Sequence, residues 1–287
     1  MTRDHILIIG AMKSGTTTLF DLLAQHPAIA PAEPKEPGFF AFEEIWARGF
    51  EWYEGLFAFD PAVHRYLLDG STDYAKAPFC DGVPERLAAA APRRFKLLYI
   101  LRHPLRRIES HARHTQRTRK ELGQIVSDRA DHGLDAGVSP VSLACSRYAS
   151  QVDGHRAAFE AGDLMLLSFE DLVADQDRVM RRVLAFLDLP EISFDATHAN
   201  EAGSKSQLPG WWQGLTASPA AGLVKRLLPR GLREKLRAGV SRKIVVEGRF
   251  HLTEREEAAL LDDLAEDLRR LRDVYGFDIE AHWGLKI

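Results

Sequence analysis

The sequence predicts an α/β domain, with a parallel sheet carrying helices on both of its faces. Three short apolar runs support that expectation: His5–Gly10, Phe95–Leu101 and Leu164–Ser168. Each is nearly continuous in hydrophobic residues rather than alternating, as a strand reads when both faces are buried. Segments with apolar residues at helical spacing lie between and after them, so strands and helices alternate. No Gly/Ser-rich linker and no internal repeat divides the 287 residues. One domain, 1–287, is therefore expected.

The first strand ends at Gly10. A helix is expected over Thr16–His26, with Leu19, Phe20, Leu22 and Leu23 as its stripe and Pro27 as its stop. Prolines 27, 31, 34 and 37 make Pro27–Gly38 an extended, accessible loop, because proline blocks helix and ladder alike. Phe39, Phe40, Phe42, Trp46, Phe50, Trp52, Tyr53, Phe57 and Phe59 then crowd one stretch, which reads as a helical cap on the core. Tyr66–Asp69 is a short strand, and Pro84–Ala91 a helix opened by proline. Arg102 stands at the carboxyl end of the Phe95–Leu101 strand, and Pro104 opens a helix to about Lys120. Residues 121–142 lack any period and read as a loop. Ser146–Glu160 and Asp177–Leu187 read as helices, and residues 198–219 as a loop. Glu254–Tyr275 is a charged helix whose stripe is Leu260, Leu261, Leu264, Leu268 and Leu271.

Composition removes several function classes. A net charge of −3 argues against general nucleic-acid binding, which shows as basic excess. Two thiols, Cys80 and Cys145, without CxxC spacing, exclude a cysteine-built zinc site and argue against a disulfide scaffold. No apolar run approaches the ~18 residues of a membrane span. The apolar stretch after Met1-Thr-Arg-Asp-His is too short for a signal-peptide core, so a cytoplasmic protein is expected.

The chemistry begins where the first strand turns into the first helix, at Gly10-Ala-Met-Lys13-Ser14-Gly15-Thr16-Thr17-Thr18. Backbone N–H groups of such a loop converge at a helix N-terminus, and the helix dipole adds positive potential. This is a nest for phosphate-like oxyanions in a P-loop-type sheet. A nucleotide-triphosphatase loop, GxxxxGK[ST], carries lysine directly after its second glycine. Thr16 stands there instead, and the lysine is displaced to position 13. A lysine inside the loop can reach the bridging oxygen of a bound anion without an associated metal, so no metal is expected.

GAMKSGTTTL resembles the 5′-phosphosulfate-binding loop of sulfotransferases, which use 3′-phosphoadenosine 5′-phosphosulfate (PAPS) as sulfuryl donor. The run Leu101-Arg102-His103-Pro104-Leu-Arg106-Arg107-Ile-Glu109-Ser110-His111 is similar to the family's 3′-phosphate motif, an arginine ending a strand with a serine eight residues on. The residues support this independently. Ligands of open α/β sheets bind at strand carboxyl ends, and a guanidinium can grip a phosphate with two parallel bonds. From Arg102 to Lys120 seven Arg or Lys face one acid, Glu109. Leu166–Leu172 and Phe186–Pro190 resemble the family's middle segment, where Glu170 and Asp171 read as helix-start residues. Gly203-Ser204-Lys205-Ser206 resembles the loop that closes over the nucleotide.

The resemblance implies sulfuryl transfer from PAPS to a hydroxyl, less readily an amine, with release of adenosine 3′,5′-bisphosphate. Lys13, Ser14, Gly15, Thr16, Thr17, Thr18, Arg102, Ser110 and Lys205 would bind the donor. Lys35-Glu36-Pro37-Gly38-Phe39-Phe40 resembles the KExxFF-type segment of heparan-sulfate sulfotransferases and their bacterial relatives, which makes Glu36 the candidate base. His111 and His114 stand in reserve, since the small-molecule branch uses a histidine. One departure concerns Gly70-Ser71-Thr72-Asp73-Tyr74, where the glycan enzymes carry a lysine in the position of Gly70. A second cation is then missing or supplied by Lys76, and the acceptor stays open among glycan, lipid and natural product. Residues 225–243 hold eight Lys or Arg and one acid, and read as a lid or as a peripheral membrane contact through 223–243. The rival readings are a metal-dependent P-loop phosphotransferase and a regulatory protein that senses adenosine bisphosphate without turnover.

Overall fold

The structure, a computed structural model, describes residues 3–121, 138–195 and 251–287. Five parallel strands form one sheet: β1 (Asp4–Gly10), β2 (Ile29–Pro31), β3 (Tyr66–Asp69), β4 (Arg94–Leu101) and β5 (Leu164–Ser168). Their order is β2-β3-β1-β4-β5. The chain leaves β1 for the far edge, returns through β3, then crosses to β4 on the other side of β1. The carboxyl ends of β1 and β4 thus meet at the point where the winding reverses, the place where such sheets form a ligand crevice. The ladder there is continuous up to a shift at Ile8/Gly10, beyond which the Ala11 N–H donates to Ile100 O at 2.8 Å.

Alternate residues of β1 and β4 face opposite layers, as the two-residue period requires. On one face Ile6, Ile8, Leu98 and Ile100 pack with α1 (Thr16–Leu23) and a later helix, Gln176–Phe186, through Leu19, Leu23, Val179 and Val183. On the other, Leu7, Ile9, Leu97 and Tyr99 meet Phe39, Phe40, Tyr53, Tyr148, Leu264 and Leu268. Each fully buried side chain of this kind contributes about 1.5–3 kcal/mol. Both faces are covered, as the apolar runs predict. No helix among the described residues is long and apolar enough to cross a membrane.

The connections differ from the sequence reading in three places: the edge strand β2, a helix at 140–144, and a break in 146–160. The loop after α1 contributes the edge strand β2, whose Pro31 is tolerated because an edge needs only one ladder. The aromatic stretch forms two short helices, α2 (Glu43–Trp46) and α3 (Gly49–Glu54), and it is core: Phe39 stacks on Tyr53 with centroids 4.3 Å apart. After β3 come a 3₁₀ turn (Thr72–Ala75) and α4 (Val83–Ala89), and after β4 comes α5 (Pro104–Glu121). The expected loop 121–142 ends in a helix, α6 (Pro140–Ala144), started by Ser139, whose hydroxyl accepts from Ser142 N–H, and by Pro140. The expected helix 146–160 is two, α7 (Tyr148–Gly154) and α8 (Arg156–Glu160). The break falls at His155, whose buried ring nitrogen bonds the Tyr74 carbonyl at 2.9 Å. The remaining helices are α9 (Phe169–Ala174), α10 (Gln176–Phe186), α11 (Glu254–Asp273) and α12 (Ile279–Trp283). A capping box of Thr253 and Glu256 starts α11. Lys205, the loop 198–219 and the basic segment 225–243 lie outside the described residues.

Candidate active site

The loop between β1 and α1 is shaped by backbone geometry. Lys13 and Gly15 both have positive φ, 72° and 86°, which turns the chain sharply before Thr16. At Gly15 a Cβ would lie 2.5 Å from the Phe169 ring, so only glycine fits. Gly15 caps α1 without a side chain, leaving the N–H groups of the first turn, at Thr16, Thr17 and Thr18, without intrahelical acceptors. Ser14 is buried, and its hydroxyl has no partner of ordinary hydrogen-bond geometry among the described residues, although Tyr148 lies close enough to feel it. These features fit an anion at the loop: a positive-φ turn, first-turn amides without intrahelical acceptors, and a buried hydroxyl without a hydrogen bond of ordinary geometry among the described residues.

Arg102 enters the same space from the end of β4. Its Nη1 donates to the Lys13 carbonyl at 3.1 Å, and its guanidinium lies 4.7 Å from the centroid of Phe169. Phe169 therefore supports both motifs, blocking a side chain at Gly15 and flooring Arg102. Burial lowers the Arg102 pKa from its ordinary value, opposed by the nearby Glu170 carboxylate. Glu170 is more than a helix-start residue. Its Oε1 accepts from the His103 N–H at 3.0 Å and its Oε2 from Trp283 Nε1 at 2.9 Å. It thereby fixes the turn between β4 and α5, while Ser168 supplies the cap of α9. Ser110 stands half-buried on α5, roughly 9 Å along the axis from Pro104.

Arg107 was not singled out by its place in the motif, yet it is fully buried. Its Nε donates to Ser146 Oγ at 2.9 Å, its Nη2 to the Ser142 carbonyl, and its Nη1 reaches Met12 O at 3.5 Å. It ties α5 to the phosphate loop and to α6. His111, one turn on, is held down to a pKa of about 4, first by burial and then by Arg107, His114, Lys13 and Lys76. The reserve base is thus uncharged at neutral pH and lies in the field of the loop lysine.

Glu36 arrives from the other flank. The segment around it pairs with the chain just after β3: Gly70 N–H donates to Lys35 O at 3.0 Å, and Gly38 N–H to Ser71 Oγ at 2.9 Å. Asp69, wholly buried, organises this junction and has no counterpart in the sequence reading. Its carboxylate accepts from Ser71 N–H and Oγ at 2.8 and 2.6 Å, and from Tyr53 and Tyr74 hydroxyls at 2.9 and 2.6 Å. Burial pushes the Asp69 carboxyl up, and those four hydrogen bonds resist the shift. Glu36 itself is 43% exposed and ion-paired with Lys35 at 2.7 Å. Lys76, the expected second cation, is engaged with Asp73; burial opposes its charge, and the Asp73 bond outweighs that and raises its pKa.

The sulfotransferase family model matches residues 5–193, two thirds of the chain and both motifs. The chain belongs to the sulfotransferase family. Heparan sulfate glucosamine 3-O-sulfotransferase 6 of Mus musculus is 30% identical to this family member over 197 residues, 66% of this chain and 53% of that protein. Bifunctional heparan sulfate N-deacetylase/N-sulfotransferase 1 of Caenorhabditis briggsae is 27% identical over 218 residues, 70% of this chain and 24% of that protein. The chain thus spans about half of the first relative and a quarter of the second. A sulfotransferase of Alicyclobacillus acidocaldarius shares the fold, with a TM-score of 0.66 at 21% identity over 98% of this chain and 99% of that one.

Proposed function

We propose that this chain moves a sulfuryl group from PAPS to an acceptor hydroxyl and releases adenosine 3′,5′-bisphosphate. The observation that carries this reading is the contact of Arg102 with the Lys13 loop, 89 residues apart in sequence and 3.1 Å apart in space. A donor with a 5′-phosphosulfate and a 3′-phosphate needs two anion sites one nucleotide apart. The Lys13 loop supplies the first, and Arg102 with Ser110 supplies the second. Attack runs in line at sulfur: the acceptor oxygen bonds to sulfur as the bond from sulfur to the 5′-phosphate oxygen breaks. Lys13 and the amides and hydroxyls of Thr16–Thr18 hold the departing phosphate and disperse its growing charge. The acceptor proton passes to the Glu36 carboxylate.

His111 is the second candidate base, favoured by its place beside Lys13. Glu36 is preferred because the Lys35–Phe40 segment resembles that of the heparan-sulfate enzymes to which this chain is similar, and because its side chain is the more open to an acceptor. The heparan-sulfate names of the relatives support a glycan as acceptor, ahead of a lipid or natural product. Extending the reading to the whole of 1–287 as one domain is supported by α11, whose Leu264, Leu268 and Leu271 share a core with β1 and β4. Cytoplasmic residence belongs to the same proposal and fits the two free thiols. The test is transfer of labelled sulfate from PAPS to a panel of glycan, lipid and small hydroxyl acceptors in excess EDTA. Label should move to one class with EDTA present. Abolition by EDTA with rescue by magnesium would favour the phosphotransferase, and nucleotide binding without any transfer would favour the sensor.

A further inference from the structure

Gly70 and Lys35 fit together in a way that neither residue explains alone. A Cβ built on Gly70 would lie 3.0 Å from Lys35 Cε, 3.2 Å from Lys35 Cγ and 2.9 Å from the Phe20 ring. The space that a side chain at position 70 would take is filled by the stem of Lys35. The ammonium at its end is held on three sides. It donates to Gly70 O at 3.1 Å and to Glu36 Oε1 at 2.7 Å, and it lies 5.6 Å from the centroid of Phe20 on α1. The Lys35 backbone is pinned in turn, because its carbonyl accepts the Gly70 N–H at 3.0 Å. The stem is only 20% exposed, whereas Glu36 is 43% exposed.

An ordinary surface pair of neighbouring Lys and Glu loses side-chain entropy to hold one geometry, and contributes little. Here the lysine is already ordered by packing and by a backbone carbonyl, independently of the glutamate. The pair is therefore asymmetric: a fixed cation with a carboxylate docked on it. Docking through Oε1 leaves Oε2 of the more exposed partner for an incoming group. The location also matters, since Phe20 belongs to the helix that the phosphate loop opens.

We propose that Lys35 is the positioning residue for Glu36: it fixes one carboxylate oxygen and aims the other at the acceptor proton. Gly70 is glycine because it makes room for that lysine. The cation that position 70 lacks is thus supplied from residue 35, not from Lys76. This inference rests on the reading of Glu36 as the base, and the test separates the two.

The variants are Lys35→Met, which keeps the stem and removes the charge, Lys35→Arg, which keeps the charge, Gly70→Ala, Glu36→Gln and the Lys35→Met/Glu36→Gln double variant. All are assayed on the full chain with PAPS and the acceptor class found above, alongside calorimetric binding of adenosine 3′,5′-bisphosphate. Lys35→Met should lower kcat by about tenfold or more and leave nucleotide affinity within about twofold. KM for PAPS should stay within about twofold, so that the loss falls on kcat. Lys35→Arg should recover much of the rate, and Gly70→Ala should lower kcat as Lys35→Met does by displacing the stem. In the Glu36→Gln background, Lys35→Met should cost little more, since both act through one group. An unchanged kcat in Lys35→Met, or no recovery in Lys35→Arg, beside a slow Glu36→Gln, would overturn the role of Lys35 and leave the base in place. Full turnover by Glu36→Gln would instead remove Glu36 as base, and the positioning role with it.

Discussion

The two flanks of the site are built in opposite ways. On the flank of the proposed donor site, the loop of Lys13 and the turn at Arg102 follow adjacent strands of one buried ladder, and backbone makes most of the geometry: positive φ at Lys13 and Gly15, first-turn amides without intrahelical acceptors, a guanidinium on a carbonyl. On the flank of the proposed base, Glu36 follows the edge strand β2 on a proline-rich stretch outside the ladder, partly in solvent, and borrows its order from Asp69 and Lys35. A backbone-built site binds the same oxyanion whichever acceptor approaches. A loop-built site can be rewritten by a few substitutions, as the glycine at 70 with the lysine at 35 illustrates. Donor recognition and acceptor handling are therefore separable, and single variants should divide them.

The largest effect is expected on the donor flank. Lys13→Met removes the cation proposed to face the departing phosphate while keeping much of the stem, and should lower kcat by about 10³-fold. Steady-state transfer of labelled sulfate measures it, and a rate near the parent's would show that the amides alone suffice. Next comes the hub of the base flank. Asp69→Ala leaves two buried tyrosine hydroxyls, the Ser71 hydroxyl and an amide without their acceptor, and should cost about 3 kcal/mol of stability in urea unfolding. A loss as small as that of an exposed residue would mean that the junction does not depend on this carboxylate.

Glu36→Gln keeps size and shape but cannot take a proton, and should lower kcat by about 10²-fold with nucleotide affinity within about twofold. His111→Ala and His114→Ala belong beside it. A large loss in either, with Glu36→Gln near normal, would move the base onto α5 and dissolve the contrast between the flanks. The smallest of these effects concerns binding alone. Arg102→Ala should weaken adenosine 3′,5′-bisphosphate by about 2 kcal/mol, roughly 30-fold, since charge-assisted bonds are each worth about 1.5–3 kcal/mol.

The same contrast explains what could be read from sequence. β1, β4 and β5 announce themselves because strands buried on both faces must be continuously apolar, and the loop after β1 because glycines at 10 and 15 take two of its positive-φ positions. Arg102 was legible as the residue at a strand end. Asp69 was not, because one carboxylate at the end of a four-residue strand carries no periodic signal; only the hydroxyl-rich Ser71-Thr72-Asp73-Tyr74 beside it hinted at a buried acceptor. The break at His155 was hidden for a related reason, being set by a hydrogen bond to Tyr74, 81 residues away. Helix α6 was missed although Ser139-Pro140 is a start signal, because five residues are too few to show a stripe. Long-range polar contacts of this kind exist only once the sheet has brought their partners together.

The central claim is that two motifs, one after β1 and one after β4, read the two phosphate ends of a single nucleotide. Calorimetric titration of the unaltered protein with adenosine 3′,5′-bisphosphate and with adenosine 5′-monophosphate tests this most directly. The bisphosphate should bind at least about tenfold more tightly, one charge-assisted contact converted to affinity, and Arg102→Ala should erase the difference while leaving the monophosphate nearly unchanged. Equal affinities for the two nucleotides, or equal losses for both in Arg102→Ala, would contradict it.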